Sequence, residues 1–584
     1  MRAIPVLAVI ASAPLLASAV PLSRPVSPSL SALAKLTPQA LIASGCGFAL
    51  ATEAAPPGKA PVAMPLIEGL APIRYPVTTT SQEAQRYFNQ GMAFLYGFEF
   101  PKAERSFAAG SARDPGCAMC KWGEALAIGP YINSGPSGVE RIARALTLTT
   151  QALAQPGITE KERALITALQ QRYAPKGPKK HKGVHAVTFA NAMQAVSDRW
   201  PDDDMIMVLA AEAAMNVRPW DYWEADNATP RPWARRAIGL VEKVLARNPD
   251  QPEAQHLYIH LTEASTTPGR AERAADMLET TAPASAHLVH MPSHTYYRVG
   301  RFADSVKVNT LAISVDEAMA RRLNEDPKFY GYFRHHTHFI LSAAEQMGDR
   351  DKALKAADDL EASIPAKMAA GNIMIQARLT TALQARAQFA RTLEESLAIP
   401  EPDAAMPELR QIWWALRAEA LARAGKVPAA RQEIATMRAA RGRKTNDSKA
   451  TGGKPRDAEF AAMIKLSETL ALARIAEAEG NPKGAIRLLH TAAGIERGFS
   501  YNEPPVWHQP VDAALGALLL RTGDARGAKA AFDRAITRRP GNAWVLWGRA
   551  QAEAGLGDKQ ASAQTMGLYR KSWAGAQAPT LARL

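Results

Sequence analysis

The sequence predicts an all-α solenoid of stacked helical hairpins, preceded by a disordered N-terminal segment. Three observations lead there. Small, aromatic and proline positions recur at a spacing of 34 residues along most of the chain, which marks a repeat architecture. The 584 residues exceed one compact domain, so several domains or an array are needed. Aromatic residues make up only 7% and alanine is abundant, a composition that lets helices pack closely.

Residues 1–19 place Arg2 before an apolar run that ends in Ala17-Ser18-Ala19. A charged start, a short hydrophobic stretch and a small-x-small site read as a secretory signal, so the expected compartment is periplasmic or extracellular. The run is too short to span a bilayer as a mature helix, and no later segment reaches 18 consecutive apolar residues. "LIASGC", ending at Cys46, sits late and lacks a strong apolar run before it; a lipid anchor there is not expected. Residues 20–78 are rich in Pro, Ala and Ser. They offer little apolar surface to offset ordering entropy and are expected to stay unfolded.

The repeats begin near residue 79. From Ala84 to Pro115, Tyr87, Gly91 and Phe94 fall on a first helix, Ala103, Phe107 and Gly110 on a second, and Pro115 ends the unit. Small residues stand where two helices cross, large ones fill the groove between them, and proline stops the second helix. Gly516, Leu519, Gly523, Ala528, Phe532, Ala535 and Pro540 keep the same frame. Further units centre on Gly348 with Ala353, Gly425 with Ala430, and Gly480 with Ala485. This pattern resembles the tetratricopeptide repeat (TPR) over most of residues 80–570. We divide it into an N-terminal array, 79–400, and a C-terminal array, 401–584, with a polar insertion at 441–457.

"DPGCAMCKWGEALAIGPYIN", "RPWDYW", "HLVHMPSHTYYRVGRF" and "YNEPPVW" further resemble the marks of a family of exported bacterial TPR proteins. That resemblance implies fold and compartment and supplies no reaction.

The formal net charge is +14, which could favour anionic partners. The basic residues are scattered, however, and the one tight run, "KGPKKHK" at 176–182, reads as a solvated loop. No nucleic-acid-reading motif accompanies it, so no nucleic acid partner is expected. Of three cysteines, Cys117 and Cys120 form a C-x-x-C pair, most simply a local disulfide in an exported chain. Lys121 follows where haem attachment wants His, and the count excludes a Cys₄ zinc site. No G-x-x-x-x-G-K-[ST] loop or G-x-S-x-G elbow is visible.

The loop at 216–233 interrupts a unit and carries Trp220, Tyr222, Trp223 and Trp233. Four aromatics do not stay in water, so they plug a neighbouring repeat or wall a ligand pocket. Glu124, Glu212 and Glu503 are candidate acids, each more simply read as structural.

The 12 histidines are unevenly spent. His256, His260 and Glu263 share one face of a first helix, and His287, His290 and His294 share one face of the next. The sets are one repeat apart: 290 follows 256 by 34 residues, and 294 follows 260 by 34. Positions two, five and nine of each unit point into the concave groove of such a solenoid. After a short insertion, His335 and His338 take positions two and five of the following unit.

Three readings compete for this wall. The histidines pack and hydrogen-bond in an aromatic groove with Tyr258, Tyr296 and Tyr297. They bind a transition metal, with His256, His260, His290 and His294 as ligands and Glu263 as ligand or orienter; neutral imidazole suits Zn, Cu, Fe or Ni. Or they hold an acidic or aromatic ligand as donors or pH-sensitive cations. "HLVHMPSH" lacks the Glu of H-E-x-x-H, and Pro292 disturbs its helix. The functional expectation is an exported solenoid that binds a peptide or protein segment, or a small ligand, in its groove. The groove is lined by His256, His260, Glu263, His287, His290, His294, His335, His338, Trp220 and Trp223. The alternative is a metal-dependent enzyme or metal-binding protein centred on the histidines.

Overall fold

A computed structural model describes residues 63–134, 137–173, 185–327, 330–370, 372–442 and 455–584. The signal-like segment, Cys46, the basic run at 176–182 and most of the polar insertion lie outside the described residues. Among these, regular structure is helical apart from one isolated bridge, Trp223 to Pro230.

The first five hairpins pair α1 (Gln82–Tyr96) with α2 (Phe100–Arg113), α3 (Ala118–Ile128) with α4 (Val139–Leu153), and α5 (Glu160–Tyr173) with α6 (Ala186–Arg199). Then come α7 (Asp204–Met215) with α8 (Pro232–Arg247) and α9 (Pro252–Thr262) with α10 (Glu272–Thr281). The next first helix is in two pieces, α11 (Ala286–His290) and α12 (Pro292–Val299), backed by the long α13 (Phe302–Leu323). α14 (Gly331–Met347) pairs with α15 (Arg350–Ala362); α16 (Ala366–Ala370), α17 (Ile373–Phe389) and α18 (Leu393–Leu397) follow. The C-terminal hairpins are α19 (Pro407–Arg423) with α20 (Val427–Gly442), α21 (Pro455–Ala478) with α22 (Pro482–Arg497), α23 (Val511–Arg521) with α24 (Ala525–Arg538), and α25 (Ala543–Gly555) with α26 (Lys559–Ser572).

Helices pack on their sequence neighbours, and first helices also pack on the first helices one unit away: α1 on α3, α7 on α9, α14 on α17, α23 on α25. That two-layer path is a TPR-type solenoid. Two contacts skip several units, α1 with α9 and α14 with α25, so the array curls back and closes its concave side. No helix among the described residues is long and apolar enough to cross a membrane.

The repeat code has a direct physical cause. A Cβ at Gly91 would stand 2.5 Å from the Phe107 ring, and one at Gly123 would stand 2.4 Å from it. One phenyl ring on a second helix is thus clamped between two glycines on successive first helices. Phe532 repeats this between Gly516 and Gly548. The turn inside the hairpin is also written twice. Gly523 and Gly557 take positive φ, +89° and +80°, where glycine pays no Cβ penalty. The next residues, Asp524 and Asp558, cap the second helix by accepting from Gly527 N and Ala561 N.

One expectation changes. Residues 63–78, placed by composition in the unfolded leader, pack on the array. Ile67 N donates to Gln90, the Tyr75 hydroxyl to Asp203 at 3.0 Å, and Thr78 to Glu162 at 2.7 Å through both its backbone N–H and its hydroxyl. Met64 and Ala71 join the core. Ile67, Leu70, Ile73, Tyr75 and Val77 pack against that core, so apolar contacts and short polar anchors together hold this strap. Among the described residues the largest apolar cluster runs from Met64 to Tyr332, a second begins at Leu341, and a smaller one from Tyr297 to Met347 bridges them. Cys117 and Cys120 are joined by a disulfide at the start of α3.

Candidate metal centre

The histidines arrive on three first helices. α9 carries His256 and His260, with Glu263 as its C-terminal cap. His287 and His290 lie on α11 and His294 on α12. The single helix expected over this stretch is split at Met291, because Pro292 has no N–H to continue the ladder. Met291 still has helical φ and ψ, −51° and −38°, so the three side chains stay on one face. α14 brings His335 and His338.

Side-chain geometry sorts these residues into two triads. The ligand atoms of His256, His260 and His287 all lie within 4.8 Å of one another, and so do those of His290, His294 and His335. In the repeat frame each triad is positions five and nine of one unit plus position two of the next. The second triad is therefore the first, moved on by one repeat. The set His256, His260, His290 and His294 contributes two members to each triad, and His260 and His294 meet again with Glu263 in a third group whose ligand atoms lie within 4.8 Å. The pattern stops at the next unit, where position nine is Ser342.

One carboxylate ties the triads together. Glu263 accepts from His260 Nδ1 at 2.8 Å and from His294 Nδ1 at 2.7 Å, one imidazole from each triad. The Tyr501 hydroxyl donates to it as well, at 2.8 Å. Burial alone would raise this carboxyl; His294 and then His260 outweigh it and hold Glu263 at about 2. It is ionised at neutral pH, so both rings present Nδ1–H to it and turn Nε2 inward, away from the carboxylate.

His290 follows the same rule by a different partner. Its Nδ1 is 2.6 Å from Asn309 Oδ1. The Asn309 amide nitrogen donates to the Ser305 carbonyl at 2.7 Å, which fixes the amide orientation and makes Oδ1 the acceptor. His290 therefore carries Nδ1–H and a bare Nε2. That nitrogen faces His294 Nε2 at 2.8 Å. Two nitrogens at this distance share either a proton, as an N–H···N hydrogen bond, or a metal ion. In the first triad, His256 Nε2 and His287 Nε2 are 3.2 Å apart, while His260 Nε2 and His287 Nδ1 have no hydrogen-bond partner. Buried acceptors left so cost about 1–3 kcal/mol each.

The surroundings repeat too. Phe98 touches all three rings of the first triad, with centroids 4.3, 5.7 and 5.4 Å from His256, His260 and His287. Phe339 does the same for the second, 5.0, 4.8 and 5.0 Å from His290, His294 and His335. Trp220 sets its edge against His260 at 5.1 Å, and Tyr332 covers His287 at 4.2 Å. Phe98 and Trp220 both have left-handed backbones, φ +52° and +65°. Each costs of order 1–3 kcal/mol. Strained residues are thus concentrated where rings are pressed onto His260.

All six triad histidines are at most 1% exposed. The open histidine-lined groove expected from the repeat frame is a closed interior, filled by Phe98, Trp220, Tyr332 and the Tyr501 segment. Burial, and next the neighbouring imidazoles, hold His256, His287, His290 and His335 well below the usual imidazole range. His260 is lowered by burial despite its bond to Glu263. Glu253, 3.1 Å from His256 Nδ1, is pushed up by burial and by Glu212.

Other residues singled out by the sequence lie elsewhere. His338 is apart from both triads, facing His508 at 5.5 Å, and His508 is bonded to Glu345. Trp223 is buried and donates to the Leu261 carbonyl, a packing role one step behind Trp220. Glu124 pairs with Arg144, and Glu212 is raised by burial. Tyr258, Tyr296 and Tyr297 bond to Glu242, Asp276 and Ser342. Sequence reasoning missed Phe98, Asn309, Phe339 and the role of Tyr501; of these only Tyr501 lay in a flagged motif.

No protein-family model matches the chain, and no curated protein matches it. Among solved structures, a human IFIT1 dimer with PPP-AAAA is 11% identical, with 84% of this chain and 91% of that one aligned and a TM-score of 0.29. Naa15/Naa10 bound to HypK-THB is 10% identical, with 84% and 70% aligned and a TM-score of 0.19. Neither likeness is close enough to transfer a ligand or a partner.

Proposed function

We propose that this protein is an exported metalloprotein whose solenoid interior holds two transition-metal ions, one on His256, His260 and His287 and one on His290, His294 and His335. The observation that carries the reading is the pair of buried imidazole triads, each with its ligand atoms within 4.8 Å of one another. Glu263 and Asn309 act as outer partners that fix the tautomers and raise ligand basicity. An all-imidazole donor set suits Zn, Cu, Ni or Fe. Three imidazoles leave one position of a tetrahedral ion to a further ligand, and in this closed interior that ligand is no larger than water. Peptide capture along these histidines, the other use of a TPR groove, would require moving the Tyr501 segment and Trp220 out of the way.

Equilibrium dialysis against Cu, Zn, Ni and Fe salts at neutral pH tests this. The expected result is two equivalents per chain for at least one metal. His335→Gln should remove one equivalent and His338→Gln none, with helical content kept in both. No stoichiometric binding, or equal loss from both variants, would overturn the assignment.

A further inference from the structure

The C-terminal half holds a second feature, a cavity of about 630 Å³ bounded by α17, α19, α21 and α23, the segment at 507–510 and the last residues of the chain. Its walls carry five guanidinium groups, on Arg391, Arg423, Arg474, Arg521 and Arg583. The carboxylates on its lining are Glu345, Glu419 and Glu477; Glu395 lies near Arg583 and is shared with Arg350. Glu345 is taken by His508. Glu477 is divided between Arg521, at 2.7 Å, and Arg474, at 3.4 Å. Glu419 is 3.7 Å from Arg423, beyond hydrogen-bond reach. Arg474 and Arg583 otherwise spend donors on the main-chain oxygens of Leu584 and Gln388.

The cations are thus in excess. Arg423 shows this most clearly. Its side chain is 39% accessible and borders the cavity. Burial, then repulsion from Arg474, Arg583 and Arg521, brings its pKa down to about 10. Burial also pushes Glu419 up, which weakens the one carboxylate beside it. Packing guanidiniums this closely is unfavourable without an anion, and their forked donors match oxyanions well.

We propose that this cavity binds a small organic or inorganic oxyanion carrying at least two negative charges, as carboxylates or phosphates. The volume falls in the usual range for small-molecule sites, roughly 300–1,000 Å³. The site is independent of the histidine triads. It is nonetheless on the same scaffold: Glu345 follows His335 on α14 by ten residues, about 15 Å of helix. An oxyanion held there would sit on the wall that also carries a triad ligand.

Calorimetric titration of the full chain with citrate, with pyrophosphate and with sodium chloride at matched ionic strength tests the proposal. Saturable binding of citrate or of pyrophosphate, with one equivalent and a raised melting temperature over chloride, is expected; which of the two binds more tightly separates carboxylate from phosphate chemistry. Arg423→Gln and Arg583→Gln should each weaken it tenfold or more while leaving the metal stoichiometry unchanged. Arg391→Gln, at the exposed rim, cannot harm folding and should weaken binding several-fold. The proposal fails if neither oxyanion binds more tightly than chloride, or if binding survives in all three variants.

Discussion

The Tyr501 hydroxyl reaches Glu263 at 2.8 Å across 238 residues of sequence. This bond joins a loop between C-terminal hairpins to the carboxylate that orients one imidazole of each triad. Tyr501 is buried, and burial followed by the Glu263 charge raises its pKa well above the usual phenol range, so it remains a donor. Tyr501→Phe keeps the ring and removes the O–H. A hydrogen bond to a charged group is worth about 1.5–3 kcal/mol. We expect a loss of this order in unfolding free energy, read from urea denaturation, and weaker metal binding at both sites.

Glu263 and Asn309 should separate the two sites. Glu263→Gln leaves an amide that cannot accept from His260, His294 and Tyr501 together, so both metal equivalents should weaken. Outer-partner substitutions typically cost 10–100-fold in affinity. Asn309→Ala frees only His290 and should weaken one equivalent and spare the other. Titration with a competing chelator resolves the two steps. Equal weakening by both variants would contradict the assignment of one triad to each partner.

The clamp on Phe107 makes a prediction about stability alone. A Cβ at Gly91 would meet that ring at 2.5 Å, so Gly91→Ala forces the hairpin apart and should cost about 1–3 kcal/mol. Gly239 lies within α8, and a Cβ there meets nothing within 4 Å. Gly239→Ala should therefore stabilise by about 0.5–1 kcal/mol through helix propensity. Thermal melts of the two variants in opposite directions would confirm that the 34-residue code is written in clearances.

These residues also show what a sequence discloses. Gly91, Phe107, Gly516 and Phe532 recur at fixed spacing because each enforces one local fit, and local fits repeat. His256, His260, His290 and His294 were legible for the same reason, as were the position-two histidines His287 and His335. The division into triads was not, since it depends on which imidazole of the next helix leans across. Phe98 comes from a turn far upstream and Tyr501 from far downstream; nothing periodic announces a residue that arrives only because the array curls back. Residues 63–78 were misjudged because the Pro/Ala/Ser composition of the whole leader masks its last stretch, where Met64, Ile67, Leu70, Ile73 and Val77 reach the core and Gln90, Asp203 and Glu162 anchor the backbone and side chains.

The buried imidazoles finally dictate how stability depends on pH. His256, His260, His287, His290, His335 and His338 are all held below the usual range in the folded chain, by burial first. In the unfolded chain they titrate near 6.5. Above that value both states are neutral and their contribution is fully present. Below it the unfolded chain takes up protons the folded chain refuses, so stability falls as the pH falls. The slope is about 1.4 kcal/mol per pH unit for each histidine involved. Glu263, held at about 2, adds a further loss between its unfolded value near 4.5 and that point. Glu253 and Glu345, raised by burial, act in the opposite sense and offset part of the fall. The net expectation for metal-free protein is a plateau above pH 7 and a steep decline from about 6.5 downward, several protons in slope. Urea midpoints measured at half-unit pH steps give that slope directly. His338→Gln should reduce it by one proton without altering metal content, because His338 is buried like the others and belongs to neither triad.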